Sequence, residues 1–329
     1  MLARTGEELL KICEEESISL SEYAIRIEMR DRELSREEVY KKMAKNLKVM
    51  KEGATEGREK QVNSLSGLIG GDGYRVQKYL EKGNTLKGDI TVEAMAMALS
   101  SSEVNASMGR IVACPTAGSC GILPAVILSA GEKLGKSDEE LIDALFASAA
   151  VGMIIGMNAT LSGAEGGCQA ECGSAAAMGA AAVVEMMGGT PKMSLDAAAI
   201  VIKNVLGLVC DPVAGLVEIP CAKRNAAGAI SALCTADMVM AGVSSKITFD
   251  DTVSAMYKVG KSLPSSLRET ARKQRSISLR LSSLSPRQIK RSTSVRDLRT
   301  SKFAQSLQMS KERASPWGVQ RPWKKYRTS

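Results

Sequence analysis

Residues 137–164 read SDEELIDALFASAAVGMIIGMNATLSGA, and this stretch favours a helical fold. Ser137 and Glu140 have the spacing of a capping box, in which two side chains satisfy backbone N–H groups at a helix start. Apolar residues at helical spacing follow at Leu141, Ile142 and Leu145. The rest is mainly Ala, Gly and Met, so we expect close packing between helices with flexible Met side chains as fillers.

Sequence signals outside this stretch also favour helices. Capping patterns precede apolar residues in three further places: Thr5 with Glu8, Ser35 with Glu38, and Thr248 with Asp251. β-Branched and aromatic runs are short, and aromatic residues make up only 3% of the chain. We therefore predict a mainly α fold, with a helical catalytic domain whose glycine-rich loops surround the candidate site.

Two uncharged runs, residues 111–131 and 144–164, have the length of a membrane span. The first contains two prolines, and the second contains Ser148, Asn158, Thr160 and Ser162. A lipid-facing helix would carry more large apolar side chains. We interpret both runs as buried helix and loop, and we predict no membrane association.

Composition divides the chain into four parts. We predict an N-terminal helical segment (1–60), a linker with a glycine-rich break (61–89), a catalytic domain (90–270) and a basic tail (271–329). The tail holds 16 Lys and Arg against 2 Asp and Glu, whereas residues 1–270 hold 28 against 34. Its serine-rich sequence shows no sustained apolar periodicity, which predicts disorder.

Three interpretations of the tail compete. It could be an arm that binds nucleic acid or another acidic surface, an inert extension, or the product of a wrong reading frame. No interleaving of aromatic and basic residues precedes Trp317. The tail therefore does not favour specific nucleic-acid binding.

Cysteine and histidine content limit the chemistry. The chain has 8 Cys and no His, and its polar start lacks the apolar core of a signal peptide. A chain this long does not need a disulfide framework, so we predict a reducing, cytoplasmic location. A metal site must use Cys or carboxylates, and a general base must be Lys, Tyr, Cys, Asp or Glu unless a partner chain supplies one.

The first candidate segment is CPTAGSCGILPA at residues 114–125, a Gly- and Pro-containing turn before an apolar stretch. The free N–H groups at the start of such a helix suit a substrate carboxylate. An ordinary helix cap explains the pattern equally well.

The second segment, NATLSGAEGGCQAEC at residues 158–172, concentrates polar groups in an apolar region, and buried polar groups need partners. Cys168 and Cys172 are four apart and would share one helix face. That spacing suits a structural zinc, a disulfide or a cluster.

The third segment, CDPVAGLVEIPCAKRN at residues 210–225, places Cys210 and Cys221 on either side of a loop interrupted by Pro and Gly. Lys223 and Arg224 follow closely. They could neutralise the negative charge of a cluster, bind a carboxylate, or remain solvated.

A metal centre is the central hypothesis from these segments. Thiolates bind soft metals, and Gly and Ala neighbours let a bulky inorganic centre approach. A cluster held by three cysteines leaves one iron open for substrate chemistry. Because buried free cysteines are common, structural cysteines remain an alternative on the residues alone.

Residues 90–270 resemble the alpha chain of bacterial iron–sulfur-dependent L-serine dehydratase, also called L-serine ammonia-lyase. Three motifs carry the resemblance: Cys114-Pro-Thr-x-Gly118, Ser162-Gly-Ala-Glu-x-Gly-Cys-Gln-x-Glu171, and Cys210-Asp-Pro-Val-x-Gly-Leu-Val-x-Ile-Pro-Cys-x-x-Arg-Asn225. Together they are more specific than any single glycine-rich loop.

The resemblance implies a [4Fe-4S] cluster held by Cys168, Cys210 and Cys221. It implies that the open iron acts as a Lewis acid on the hydroxyl of L-serine while a base removes the α-proton, giving pyruvate and ammonia. Such a reaction serves amino-acid degradation and gluconeogenesis. For charge and carboxylate recognition we expect six residues: Cys114, Thr116, Gly118, Lys223, Arg224 and Asn225.

The family's two-chain form has a smaller beta chain, and the resemblance implies that this partner completes the active site with a histidine. We therefore leave the catalytic base unassigned in this chain and expect the chain alone to be inactive. A related lyase for threonine or cysteine is one alternative, because a methyl group changes specificity by only about 1–3 kcal/mol. A binding protein with a basic tail and structural cysteines is another.

The resemblance stops near residue 270. A short Gly- and Ala-rich continuation is expected there, whereas the sequence changes to the basic tail that contains both tryptophans. This abrupt change favours a frameshift as the origin of residues 271–329.

Overall fold

The computed structural model describes residues 2–86, 88–268 and 318–319. Helices make up nearly all of its regular structure, which confirms the prediction of a mainly α fold. The helices are α1 (Gly6–Glu15), α2 (Leu20–Arg32), α3 (Arg36–Glu59), α4 (Asp72–Leu80), α5 (Asp89–Ala106), α6 (Ile122–Lys133), α7 (Asp138–Asn158), α8 (Gly163–Gly166), α9 (Ser174–Met186), α10 (Pro191–Asn204), α11 (Cys221–Met240) and α12 (Phe249–Ser262).

Short elements connect these helices. Single turns of 3₁₀ helix lie at Ala117–Ser119, Val213–Gly215 and Ser265–Leu267, and a π-helical turn lies at Gln169–Gly173. Strand β1 (Val112–Ala113) pairs antiparallel with β2 (Gly318–Val319). Apart from β2, the predicted disordered tail lies outside the described residues.

Side-chain caps begin several helices as the sequence predicts. Ser35 and Glu38 form a complete capping box at the start of α3, and Ser137 and Glu140 form another at the start of α7. Thr248 accepts a hydrogen bond from the backbone N–H of Asp251 at the start of α12. Each cap satisfies a backbone donor that has no partner inside its helix.

Helix α9 lies at the centre of the fold and packs against α6, α7, α10 and α11. Small side chains permit the close contacts, as the composition predicts. A Cβ added to Gly179 of α9 would lie 3.2 Å from Cγ1 of Val126 on α6. One added to Gly152 of α7 would lie 2.9 Å from Cε of Met178 on α9. With larger residues at these positions, the facing side chains of the neighbouring helix would have to shift.

Helix α7 is the one helix among the described residues that is long and apolar enough to cross a membrane. Within the protein, 72% of its apolar window is buried. The core helices of soluble proteins share this length and composition, so these properties alone are weak support for a span.

The main hydrophobic cluster includes Leu9, Leu20 and Val39 from the first three helices together with Ala177 and Ile202 from α9 and α10. The N-terminal segment therefore shares a core with the helices that position the candidate site. The division of the chain at residues 60, 89 and 270 stays a prediction.

Candidate metal centre

The π-helical turn after Cys168 is held in place by the buried side chain of Gln169. Its Nε2 donates to the carbonyl of Gly166 at 2.9 Å and to that of Met256 at 3.0 Å. Its Oε1 accepts from the backbone N–H of Gly207 at 2.9 Å. One amide thus joins the turn to α12 and to the loop that leads to Cys210.

A close backbone approach brings that loop beside the turn. The backbone N–H of Gln169 donates to the carbonyl of Leu208 at 3.1 Å. Gly167 has φ of +79°, and a Cβ there would lie 2.7 Å from the same carbonyl oxygen. Glycine is therefore required at 167, both for its conformation and for space.

The turn and the loop bring together two of the three predicted ligands. The sulfurs of Cys168 and Cys210 and a carboxylate oxygen of Glu171 all lie within 4.8 Å of one another, and all three residues are buried. Cys221 lies outside this group, at the first position of α11, and is 5% exposed. Helix α11, which begins at Cys221, contacts the π-helical turn.

The local contacts favour an ionised Cys168. Hydrogen bonds from the thiols of Cys172 and Cys210, together with the charge and hydrogen bond of Arg224, lower the pKa of Cys168 against the opposing effect of burial. The same contact with Cys168, together with burial, raises the pKa of Cys172 well above its usual value. The pair therefore keeps its proton on Cys172 and its negative charge on Cys168.

Arg224 is the cation that supports this charge. Its Nη1 donates to the sulfur of Cys168 at 3.3 Å and to the carbonyl of Val209 at 2.9 Å, and its Nη2 donates to Asp211 at 2.8 Å. Lys223 is placed differently, because it is exposed and pairs with Asp72 at the start of α4.

The predicted substrate loop also contacts the π-helical turn. Thr116 donates a hydrogen bond from Oγ1 to Oε1 of Glu171. A Cβ on Gly118 would lie 2.4 Å from the same oxygen, so with any larger residue the loop or the end of the Glu171 side chain would have to shift.

Asn225 fastens the loop to the start of α11. Its Nδ2 donates to the carbonyls of Gly118 at 2.7 Å and of Cys221 at 2.9 Å, and its Oδ1 accepts from the N–H of Gly121 at 2.9 Å. The amide thus caps the N-terminus of α6 from a distant part of the chain. The segment's own N-cap residue, Gly121, makes no side-chain cap, and the binding loop stays a prediction.

Cys114 is not one of the residues whose potential metal-ligand atoms come together at this site. It is buried, and its thiol donates to the carbonyl of Val112 at 3.5 Å and to that of Cys120 at 3.8 Å. Burial raises the pKa of its thiol well above the usual value. The residue thus packs inside the loop that carries Thr116 and Gly118.

The residues present fit a soft metal or an iron–sulfur cluster. Thiolates are soft donors, and a buried thiolate beside a fixed guanidinium is already in its coordinating form. Hydrogen bonds to a ligand sulfur are the contacts that protein environments use to tune such centres.

Two acidic residues of the site were not among the candidates drawn from the sequence. Glu171 stands in the second motif and Asp211 in the third, and the sequence alone gives neither of them a role. Both carboxylates lie in Gly-, Ala- or Val-rich surroundings within three residues of a candidate ligand. That combination is the signal that would have singled them out.

Comparison with known proteins assigns the chain to a family. The family model described as serine dehydratase alpha chain matches residues 15–274. This chain belongs to that family. The match extends beyond residues 90–270, where the motifs lie, and includes α2, α3 and most of the predicted N-terminal helical segment.

Curated members of the serine dehydratase alpha chain family are similar over most of their length. The "Probable L-serine dehydratase, alpha chain" of Bacillus subtilis (strain 168) is 48% identical over 267 residues, covering 81% of this chain and 89% of that protein. The "L-serine dehydratase, alpha chain" of Peptoniphilus asaccharolyticus is 46% identical over 269 residues, covering 82% of this chain and 92% of that protein.

Longer relatives of the serine dehydratase alpha chain also match. The "L-serine dehydratase TdcG" of Escherichia coli (strain K12) is 36% identical over 276 residues, covering 80% of this chain. The matched part is 59% of that protein. Two relatives whose names specify an alpha chain are thus matched nearly end to end, whereas this relative contains substantial additional sequence.

Proposed function

We propose that this chain is the alpha subunit of an L-serine dehydratase that converts L-serine to pyruvate and ammonia at a [4Fe-4S] cluster held by Cys168, Cys210 and Cys221. The observation that carries the proposal is the meeting of Cys168 and Cys210 in a buried site beside Arg224. The names of two similar relatives supply the substrate.

When bound, such a cluster supplies a Lewis-acidic iron that assists the departure of a hydroxyl group. The chain itself supplies three cysteine ligands and places positive charge near their sulfurs. Arg224 donates a hydrogen bond to the sulfur of Cys168. Cys221 begins α11, where free backbone N–H groups favour negative charge.

We further propose that the loop at Thr116 and Gly118, together with the start of α11, binds the substrate. Asn225 keeps these two elements side by side. Lys223 contributes a cation at the exposed end of this region, where Asp72 holds its side chain. The buried surroundings exclude water and strengthen each polar contact with the substrate.

A beta chain completes the site in this proposal and supplies the general base. The chain has no histidine. A longer relative named L-serine dehydratase carries sequence beyond the matched 59%, which leaves room for a second part fused to the first. A reducing cytoplasm suits the thiol ligands, and the reaction belongs to amino-acid degradation that feeds gluconeogenesis.

The test is a comparison of this chain with and without a co-expressed beta chain, all purified without oxygen. The 2-oxo acid product is followed with each of three substrates: L-serine gives pyruvate, L-threonine gives 2-oxobutyrate, and L-cysteine gives pyruvate together with sulfide. We expect serine turnover only with both chains. Full turnover by this chain alone would contradict the partner requirement, and a preference for threonine or cysteine would contradict the substrate.

We also propose that residues 271–329 arise from a shifted reading frame. The family match ends at residue 274, close to the change in charge. The other frames of the gene across codon 270 provide the test. A Gly- and Ala-rich continuation in one of them supports the frameshift, and its absence from both contradicts it.

A further inference from the structure

The residues that the sequence assigns to the substrate loop converge on Glu171. Thr116 donates a hydrogen bond to Oε1 of this carboxylate. A Cβ on Gly118 would lie 2.4 Å from Oε1 and 3.0 Å from Oε2, so both oxygens face the bare backbone of the loop. Nδ2 of Asn225 donates a hydrogen bond to the carbonyl oxygen of Gly118 at 2.7 Å. The loop is therefore shaped around the Glu171 carboxylate.

Glu171 also lies beside the sulfurs of the candidate metal centre. One carboxylate oxygen is within 4.8 Å of the sulfurs of Cys168 and Cys210. The residue is 8% exposed, so any group that reaches it leaves bulk water. In a β-hydroxy-α-amino acid, the hydroxyl and the ammonium are on adjacent carbons. A hydroxyl at the metal centre would thus bring the ammonium close to this carboxylate.

The charges around the centre distinguish the two ends of such a substrate. Arg224 is engaged by Cys168 and Asp211, and its guanidinium repels an ammonium group. Glu171 contributes the negative charge on the side of the substrate loop. A buried carboxylate gives strong, charge-assisted hydrogen bonds to an ammonium donor.

We infer that Glu171 binds the α-ammonium group of the substrate and selects amino acids over hydroxy acids at this site. Thr116 is a positioning residue for this contact, and Gly118 provides the clearance. The inference rests on the proposed function, because that function places a β-hydroxy amino acid at the sulfurs.

The test measures the equilibrium binding of two probes by calorimetry. Glu171→Gln is compared with the unaltered full chain, and each is prepared without oxygen together with the beta chain. Two probes each keep part of serine: L-alanine keeps the ammonium and carboxylate, and 3-hydroxypropionate keeps the hydroxyl and carboxylate. We expect Glu171→Gln to weaken the binding of L-alanine by about 10- to 100-fold and to leave the affinity for 3-hydroxypropionate unchanged.

Glu165→Gln is the matched control, because Glu165 is an exposed acid in the same segment that accepts a hydrogen bond from Thr160. This variant should bind both probes with unchanged affinity. Loss of iron from Glu171→Gln would overturn the inference, because Glu171 would then hold the metal. Equal weakening of both probes, or unchanged L-alanine binding, would overturn it as well. Unaltered protein that converts no serine contradicts the proposed function instead.

Discussion

Nη1 of Arg224 lies 3.3 Å from the sulfur of Cys168 and donates a hydrogen bond to it. The contact joins α11 to the turn before α9, 56 residues earlier in the chain. Asp211 and the carbonyl of Val209 accept further hydrogen bonds from the same guanidinium. A fork of donors fixed in this way can support a thiolate that burial alone would disfavour.

Replacement of Arg224 by Met should raise the pKa of Cys168 in metal-free protein. The native pKa is lowered, so this group stabilises the fold above its unfolded pKa and loses that contribution as pH falls through the folded value. A lost charged hydrogen bond costs about 1.5–3 kcal/mol, or roughly one to two pH units. Ultraviolet thiolate absorbance, corrected with Cys168→Ser, reports the titration. Arg224→Lys should shift it less, and an unchanged titration in Arg224→Met would be inconsistent with the role of the guanidinium.

A methyl group at residue 118 should disturb the substrate loop while the helices stay folded. In Gly118→Ala the new Cβ would meet Oε1 of Glu171 at 2.4 Å, so the loop or the carboxylate must move. A misplacement of about 1 Å in an active site can cost about 100-fold in activity, and we expect a loss of up to that order. Serine turnover and circular dichroism together check the expectation.

The matched control for Gly118→Ala is Gly88→Ala. Gly88 precedes α5 with φ of −62°, and its Cβ would meet no atom within 4 Å. This variant should keep full activity. Equal activity of the two variants would show that the clearance at residue 118 is unimportant.

Glu103 should make the stability of the protein depend on pH. The residue is buried on α5 and accepts from the backbone N–H groups of Asp72 and Gly73, and burial raises the pKa of its carboxyl to about 7. A raised carboxyl pKa stabilises the fold below the unfolded value of 4.5, and this contribution is lost as pH rises through about 7. The difference between 4.5 and about 7 corresponds to a full loss of about 3–4 kcal/mol.

Urea unfolding at pH 5 and pH 8 measures this effect. The free energy of unfolding of Glu103→Gln should change less between the two pH values than that of the unaltered chain. The exposed Glu59→Gln should behave like the unaltered chain. A pH dependence that survives in Glu103→Gln would rule out Glu103 as its source.

The helical fold was predictable because its determinants are local. The capping boxes at Ser35 and Ser137 need partners only three residues away. The small residues of α9 predict close packing, whichever helices are its neighbours. The π-helical turn at Gln169–Gly173 was not predicted, because its geometry depends on bonds from Gln169 to Gly207 and Met256. Those partners are set by tertiary structure.

The candidate site was predictable in its residue types and less so in its arrangement. The motifs identified Cys168 and Cys210, and the structure brings their sulfurs together. The sequence could not show that Thr116 bonds to Glu171 or that Arg224 contacts Cys168. These contacts join segments far apart in the chain, and no local pattern fixes which side chains face one another.

Iron and acid-labile sulfide content of oxygen-free protein tests the central claim most directly. We expect about four of each per chain in the unaltered protein and in Cys234→Ser, whose cysteine is exposed, and loss of both in Cys168→Ser, Cys210→Ser and Cys221→Ser. Protein that contains neither iron nor sulfide, or that keeps both after Cys168 and Cys210 are replaced, would contradict the proposed cluster.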